Sequence, residues 1–276
     1  MKTEQPLVSV VMNCYNGEKY LREAIDSVYQ QTYKNWEIVF WDNASTDNSA
    51  IIAKTYDEHL RYFRGNETVP LSVARNKALQ KARGEFIALL DCDDIWLPEK
   101  LEIQSMHIQK NPNAKLFFAN TIHFNDEGVE IRRQYDRFNP CKLNLSKGKA
   151  LNNLLIHGCF IDTESVVFNK EAALSIGGFD TEYKYVVDAD FFKRMGSKYD
   201  MYAGKETLAK WRVHTNQSTQ SIGDIMFKEG KQMFSKYFWY NGVTNMARFS
   251  MIFYLLRSYI KQFLIKKKLL KNNIGG

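Results

Sequence analysis

A short apolar segment that ends abruptly in a cluster of carboxylates is the feature that most constrains the fold. Residues 86–90 read Phe-Ile-Ala-Leu-Leu, and Asp91, Asp93 and Asp94 follow at once. Alternate side chains of an extended chain point the same way, so Asp91 and Asp93 converge while Asp94 points elsewhere. Because like charges this close repel unless a cation lies between them, the cluster indicates a site for Mg²⁺ or Mn²⁺ that holds a phosphate-bearing substrate.

The alternative interpretation of the same residues is structural. In that case Asp94 caps the helix announced by Pro98, and Asp91 and Asp93 are solvated turn residues.

Strands and helices alternate through the first half of the chain, with a polar turn after each strand. The hydrophobic pattern predicts strands at 7–12, 36–41, 61–64 and 85–90, and helices at 18–31, 48–56 and 72–82. This alternation predicts an α/β fold, a Rossmann-like, mostly parallel sheet flanked by helices. Ligands of such sheets bind at the carboxyl ends of the strands, where Asp42 and Asp91 are expected to lie.

The second half is less regular. Further strands are predicted at 115–120 and 165–168, and helices at 98–109, 170–176 and 188–195. Residues 121–145 are irregular and polar, which predicts an inserted hairpin or loop that shapes a substrate pocket.

Charge is distributed unevenly along the 276 residues. The net charge is +7, but the chain after Glu229 holds nine basic and no acidic residues, whereas the preceding part holds 29 basic and 31 acidic residues, a net charge of −2. The basicity therefore belongs to the tail, and no nucleic-acid partner is predicted.

Cysteine usage and the N-terminal sequence bear on the compartment. Cys14, Cys92, Cys141 and Cys159 match neither a disulfide framework nor a zinc-finger spacing, which predicts free thiols in a reducing compartment. Residues 1–6 lack the basic and apolar regions of a signal peptide, so a cytoplasmic protein is predicted.

Eight short motifs, in their order and spacing, resemble those of the family 2 glycosyltransferases. They lie at residues 10–16, 41–47, 74–76, 84–86, 91–94, 177–180, 188–190 and 211–214. The resemblance covers about three quarters of the chain, roughly residues 7–218. It implies a GT-A fold and an inverting transfer of a sugar from a nucleotide-diphosphate donor, with a UDP-sugar as the commonest case. The acceptor implied is a hydroxyl of a glycan or a lipid-linked saccharide.

The resemblance also implies roles for residues of the donor site. Tyr15 and Asp42 would line the nucleobase and ribose pocket, because an aromatic ring offers a stacking face and a carboxylate accepts hydrogen bonds. Arg75 would approach the diphosphate or the base. The alternatives are an Asx-turn role for Asp42 and a surface position for Arg75 on an amphipathic helix.

The same resemblance assigns the metal site. Asp93 would contact Mn²⁺ or Mg²⁺ directly, while Asp91 contacts the ribose or a coordinating water. His214 would approach the metal or the diphosphate, although a lone His is as often a packing or loop residue. The metal would neutralise charge on the departing nucleoside diphosphate.

Inversion needs a base that deprotonates the acceptor hydroxyl, and Asp188 fits that role. The family usually has Glu-Asp here, whereas Val187 precedes Asp188 in this chain. Asp190 is expected to be structural. A second departure, Asn13-Cys14 where Pro-Thr or Pro-Val is common, is expected to adjust the nucleobase pocket.

Residues 223–276 are predicted to form a basic amphipathic helical tail beside a catalytic domain at 1–222. Apolar residues recur at helical intervals through 246–270, and the longest uncharged stretch, 249–256, is too short to span a bilayer. The pattern predicts a helix on the anionic inner face of the cell membrane, making the protein peripheral there. The alternative is a helical hairpin that packs on the catalytic domain or forms a homodimer, with its lysines facing solvent.

Two other functions fit parts of the sequence. A non-catalytic nucleotide-sugar binding module would explain the missing Glu before Asp188. A haloacid-dehalogenase-type phosphatase also places an Asp-x-Asp motif after an apolar strand, with the first Asp as nucleophile.

Overall fold

The structure, a computed structural model, describes residues 5–215 and 223–274 of the chain. Within these residues nine strands form one sheet: β1 (Val8–Cys14), β2 (Trp36–Asp42), β3 (Leu60–Arg64), β4 (Phe86–Leu89), β5 (Ile95–Trp96), β6 (Ala114–Asn125), β7 (Glu130–Arg133), β8 (Val167–Asn169) and β9 (Asp200–Val213).

Ten α-helices lie in the same residues. They are α1 (Leu21–Tyr29), α2 (Ser49–Ala53), α3 (Leu71–Lys81), α4 (Lys100–Lys110), α5 (Gln134–Arg137), α6 (Lys149–His157), α7 (Lys170–Ser175), α8 (Val187–Lys198), α9 (Gly223–Phe238) and α10 (Asn245–Ile274). Two short 3₁₀ turns occur at Pro140–Lys142 and Thr163–Ser165.

The strand order is β3-β2-β1-β4-β8-β6-β9-β5, with β7 paired to β6. The first four strands are parallel. The rest of the sheet is mixed, because β8 is antiparallel to both β4 and β6, while β6 and β9 run parallel. The carboxyl ends of β1, β2 and β4 therefore meet at one edge.

The sheet has an apolar core on each face. Successive residues of β1 alternate between two buried clusters: Val11 belongs to one, and Val10 and Met12 belong to the other. Both β1 and β2 are buried at every position, which is typical of parallel strands covered by helices on both faces. This packing fixes the positions at which the strands end and the polar turns begin.

Most predicted elements are confirmed. The α/β fold and all seven strands and helices predicted before residue 91 are present, with ends shifted by a few residues. The irregular segment at 121–145 contains the expected hairpin, formed by β6 and β7. The prediction missed β5, β9, α5 and α6. Since β9 has many half-exposed positions, its sequence lacks a continuous apolar run.

The C-terminal helices α9 and α10 form the expected helical tail. Their buried residues pack with α6 in a third apolar cluster: Leu151, Leu155, Met233, Tyr237, Val243, Ala247 and Met251. In the part of the chain that the structure describes, no helix combines the length and apolar character needed to cross a bilayer. The predicted domain boundary at 222 lies in residues 216–222, outside the described residues, and the division into domains stays a prediction.

Candidate active site

The turn after β4 separates Asp94 from Asp91 and Asp93 as predicted, although residues 91–94 form a closed turn rather than the extended chain on which that prediction rested. The Asp94 amide donates to the Asp91 carbonyl at 3.2 Å, which closes the turn. The Asp94 side chain is buried and accepts from the backbone N–H of Arg212 at 2.8 Å. Burial, followed by the charge of Glu164, raises the pKa of Asp94 well above its usual range. Asp94 therefore anchors β9, and Asp91 and Asp93 face the cavities described below.

Arg75 joins Asp91 to the proposed base. Its guanidinium, only 2% exposed, donates through Nη2 to Asp91 Oδ1 at 3.0 Å and through Nη1 to Asp188 Oδ1. The Arg75 guanidinium also lies 5.5 Å from the centre of the Phe179 ring. Asp91 keeps 38% of its side chain exposed, so this ion pair does not bury it. The predicted approach of Arg75 to a diphosphate stays a prediction.

Asp188 lies in the first turn of α8 with 27% of its side chain exposed. Burial is the main cause that raises its pKa, and the charge of Arg75 opposes this shift. The charge of Asp91 raises the pKa further. The side chain is thus held in place by a cation while its affinity for a proton is increased, as a general base requires.

Asp93 pairs with His214. The Asp93 Oδ2 atom lies 3.0 Å from His214 Nε2, and Arg212 Nε donates to the Asp93 carbonyl at 2.9 Å. Burial and then the charge of Asp91 raise the pKa of Asp93. The structure therefore brings together the two residues that the resemblance assigned to a metal.

Asp42 is fully buried beneath the edge of the sheet. Its Oδ1 accepts from the Ser45 amide at 2.7 Å, and its Oδ2 accepts from Tyr62 and Arg64. The turn interaction that was the alternative interpretation is present. Contact with a ribose or base stays a prediction, and it requires displacement of Tyr62 or Arg64.

Two cavities adjoin at this edge. The larger, about 450 Å³, is lined by the turn after β1, including the exposed ring of Tyr15, and by Asp93 and His214. The smaller, about 240 Å³, contains Arg75, Asp91, Asp93 and Asp188 among its lining residues. Asp93 and Leu71 line both cavities. Among the described residues that line the two cavities, Asn43 lines the larger one, whereas its neighbour Asp42 lines neither.

Three further charged residues of the smaller cavity were not predicted. Asp162 directly precedes the 3₁₀ turn before β8, Glu164 lies in that turn, and Lys184 comes from the loop before α8. Burial, followed by the charge of Asp162, raises the pKa of Glu164 well above its usual range, and Glu164 Oε1 has no hydrogen-bond partner among the described residues. The only sequence signal was a pair of acids directly before a predicted strand.

The loop before α8 is held by the tail. Glu229 of α9 accepts from three successive backbone N–H groups, those of Lys184, Tyr185 and Val186, at 2.9, 3.0 and 3.1 Å. These contacts fix the start of the helix that carries Asp188.

Asp190 forms a second link to the tail. It is bound by Arg194 at 2.6 Å, Lys236 at 2.8 Å and Tyr237 at 3.0 Å. The predicted structural role of Asp190 is confirmed.

Comparison with known proteins identifies the family. The family model described as "Glycosyl transferase family 2" matches residues 9–174. The chain belongs to this family. A haloacid-dehalogenase-type phosphatase, the alternative set out above, is therefore wrong.

Among family 2 relatives, an uncharacterized glycosyltransferase of Rickettsia typhi is 33% identical over 222 residues, covering 79% of this chain and 68% of its own. Solved structures show the GT-A fold. The solved chain of S. aureus TarS 1–349 in complex with UDP-GlcNAc has a TM-score of 0.71 at 16% identity, with 92% of this chain and 72% of that chain covered. The mannosyltransferase PcManGT from Pyrobaculum calidifontis, in complex with GDP-Man and Mn²⁺, has a TM-score of 0.67 at 18% identity, with 92% and 70% covered.

The residues of this family 2 chain fit a metal that is shared with a substrate. Among residues 5–215 and 223–274, no three His, Cys, Asp or Glu side chains form a ready-made metal cage. Asp93 and His214 offer an oxygen and a nitrogen ligand at adjacent positions. Mg²⁺ is often held by one or two carboxylates together with substrate phosphates, so two protein ligands beside the larger cavity suit such an ion.

Proposed function

We propose that this chain is an inverting, metal-assisted glycosyltransferase that moves a sugar from a UDP-sugar to an acceptor hydroxyl. The observation that carries the proposal is the position of Asp188, which lines one cavity together with Asp91 and Asp93. A displacement reaction between two substrates needs a proton acceptor and room for both substrates side by side. Asp188 would be the proton acceptor, and the two adjoining cavities would hold the two substrates.

The donor is proposed to occupy the larger cavity. The Tyr15 ring is exposed there and offers a stacking face to a nucleobase, and Asp93 and His214 line the same cavity. UDP is chosen because it is the commonest carrier in the family, and the TarS complex contains UDP-GlcNAc. Asp93 and His214 would hold Mn²⁺ or Mg²⁺, which would supply Lewis-acid neutralisation of the departing diphosphate.

The acceptor is proposed to enter the smaller cavity, where Asp188 removes the proton of the attacking hydroxyl. Burial raises the pKa of Asp188 above its usual value, and this makes its carboxylate a stronger base than an exposed Asp. Arg75 donates to Oδ1 and thereby orients the carboxylate. The polar lining of Asp162, Glu164 and Lys184 suits a saccharide, which presents many hydroxyl groups.

The tail is proposed to place the enzyme on an anionic membrane face, so that the acceptor is a lipid-linked saccharide. Ala247 and Met251 of α10 are buried against the body. Positions two residues later lie on the opposite side of a helix. There α10 exposes a stripe of apolar side chains: Met246, Phe249, Phe253, Leu256 and Ile260. Trp239, 81% exposed, lies just before this helix. With nine basic and no acidic residues after Glu229, the segment is complementary to anionic lipid.

Donor binding is tested by thermal stabilisation. A UDP-sugar at about 100 times its Kd, with Mn²⁺, is expected to raise the Tm by about 5 °C, because a ligand that binds only the native state adds about 2.7 kcal/mol. Differential scanning fluorimetry with UDP-, GDP- and dTDP-sugars measures the shift. The same sugar without a nucleotide is the control, and the absence of a shift with every nucleotide sugar contradicts the proposed donor class.

Membrane binding is tested by the double variant Phe249→Glu/Phe253→Glu. Each buried Phe contributes about 1.5–3 kcal/mol, so the variant is expected to partition about 10²-fold less onto vesicles of phosphatidylglycerol and phosphatidylcholine. Co-sedimentation measures the bound fraction. The matched control is Ile51→Glu/Val129→Glu, which changes two exposed apolar residues that are distant in sequence from α10. This control is expected to bind vesicles like the wild type.

Two results would contradict the membrane proposal. One is equal binding of Phe249→Glu/Phe253→Glu and wild type. The other is a wild-type protein that ignores vesicles and forms a dimer which the same double variant abolishes.

A further inference from the structure

Cys14 and Cys92 lie where two neighbouring strands end. β1 and β4 are paired in parallel with Val11 opposite Leu89, and the Leu90 amide continues the ladder by donating to the Val11 carbonyl at 3.2 Å. Cys14 is the last residue of β1, and Cys92 lies in the turn that follows β4. The strand pairing therefore brings both cysteines to the same edge of the sheet.

The two sulfur atoms already point towards one place. A Cβ atom added to Gly17 would lie 2.8 Å from the Sγ atom of Cys14 and 2.8 Å from that of Cys92. Gly17 is held over them because its amide donates to Ser49 Oγ at 3.0 Å. Since both Sγ atoms lie 2.8 Å from the same point, they are at most about 5.6 Å apart.

A small oxidant has a route to this pair. Both cysteines line the cavity of about 450 Å³ beside Tyr15, and Cys92 is partly exposed. The other two cysteines lie elsewhere: Cys141 lines a separate cavity, and the Cys159 Sγ contacts the Ile161 carbonyl at 3.6 Å. Proximity and access thus distinguish Cys14 and Cys92 from the remaining thiols.

We propose that Cys14 and Cys92 are a modification site at which hydrogen peroxide forms a reversible disulfide in the wall of the proposed donor cavity. One thiolate attacks peroxide, the O–O bond breaks, and a sulfenic acid and one water result. The second thiol attacks the sulfenic sulfur, forms the S–S bond and releases a second water. In total, two thiols are oxidised to a disulfide and one peroxide is reduced to two waters. A dithiol such as dithiothreitol reduces the disulfide back to two thiols.

The bond would act on the proposed metal ligands. Cys92 lies between Asp91 and Asp93, and a disulfide draws the two sulfurs to about 2.05 Å. The turn after β4 must follow Cys92 towards β1, which displaces the flanking carboxylates. This effect rests on the proposed function. Since a misplacement of about 1 Å can cost about 10²-fold in rate, oxidation is expected to lower donor turnover at least about tenfold.

The test uses the full-length protein, reduced and then treated with hydrogen peroxide. After alkylation of free thiols, peptide mass spectrometry is expected to show a Cys14–Cys92 cross-link with the loss of two hydrogens. Donor turnover is expected to fall at least about tenfold and to recover with dithiothreitol.

Variants separate this pair from the other thiols. Cys141→Ser/Cys159→Ser is expected to keep both the cross-link and the loss of turnover. Cys92→Ser is expected to give no cross-link and the same turnover with and without peroxide, and Cys14→Ser provides the same comparison if Cys92→Ser does not fold.

The two proposals fail in different ways. If the reduced protein neither binds nor turns over any nucleotide sugar, the proposed function fails. The mass measurement still tests the disulfide in that case. If reduced protein turns over donor but peroxide gives no Cys14–Cys92 cross-link, or gives one that leaves turnover unchanged, the modification site is overturned.

Discussion

Replacing Asp188 by Asn is expected to lower kcat for sugar transfer by about 10²–10⁴-fold while the donor still binds. An amide cannot accept the proton of the attacking hydroxyl. Its oxygen can still accept the hydrogen bond from Arg75, so the side chain and the start of α8 should keep their positions. Release of nucleotide measured against acceptor concentration gives kcat, and the thermal shift with donor confirms binding.

The pH dependence of kcat/KM provides a second test of the role proposed for Asp188. Because burial raises the pKa of Asp188, the carboxylate becomes protonated at a higher pH than an exposed Asp. A protonated Asp188 cannot act as a base, so kcat/KM is expected to fall as the pH is lowered through that pKa. The residual activity of Asp188→Asn should lack this acidic limb.

The control is Glu171→Gln, which neutralises an exposed carboxylate at the start of α7 and is expected to behave like the wild type. An Asp188→Asn variant that keeps more than about a tenth of wild-type kcat contradicts the assignment of the base.

Replacing Asp93 by Ala is expected to abolish metal-dependent stabilisation by the donor and to lower kcat/KM by about 10²–10³-fold. The variant removes the oxygen ligand of the pair with His214. Burial and the charge of Asp91 raise the pKa of Asp93, which means that its ionised form is disfavoured in the protein without metal. The Tm without ligand should therefore not decrease at neutral pH, which separates loss of binding from loss of folding.

A titration with Mn²⁺ in the presence of UDP-sugar compares wild type, Asp93→Ala and Glu171→Gln. Addition of a chelator to the wild type should reproduce the behaviour of Asp93→Ala. Unchanged metal-dependent stabilisation in Asp93→Ala would contradict the proposed metal site. A wild-type protein that binds the UDP-sugar normally but does not turn it over would favour a non-catalytic binding module.

The parallel half of the fold and the location of the site could be predicted from sequence because both follow from local patterns. Continuous apolar runs identify β1, β2 and β4, and the parallel arrangement brings their polar ends to one edge. Asp42 and Asp91 could therefore be placed at this edge from the sequence alone. The strand β9 could not be predicted, because its half-exposed sequence becomes a strand through pairing with β6, almost 90 positions away in the chain.

Contacts between side chains that are distant in the chain could not be predicted from the sequence either. The helix that carries Arg75 was predicted, but its ion pairs with Asp91 and Asp188 depend on how three separate elements pack. Glu164 and Glu229 gave no usable signal, since a buried acid is recognised by its surroundings rather than by its own position in a pattern.

The three amide groups that Glu229 binds connect the C-terminal helices to the loop that leads into the helix carrying Asp188. Under the function proposed above, we expect a shift of α9 caused by contact of α10 with lipid to be transmitted through this carboxylate to the first turn of α8. Linkage then predicts the converse, that an acceptor bound at Asp188 would strengthen the binding of these helices to the bilayer.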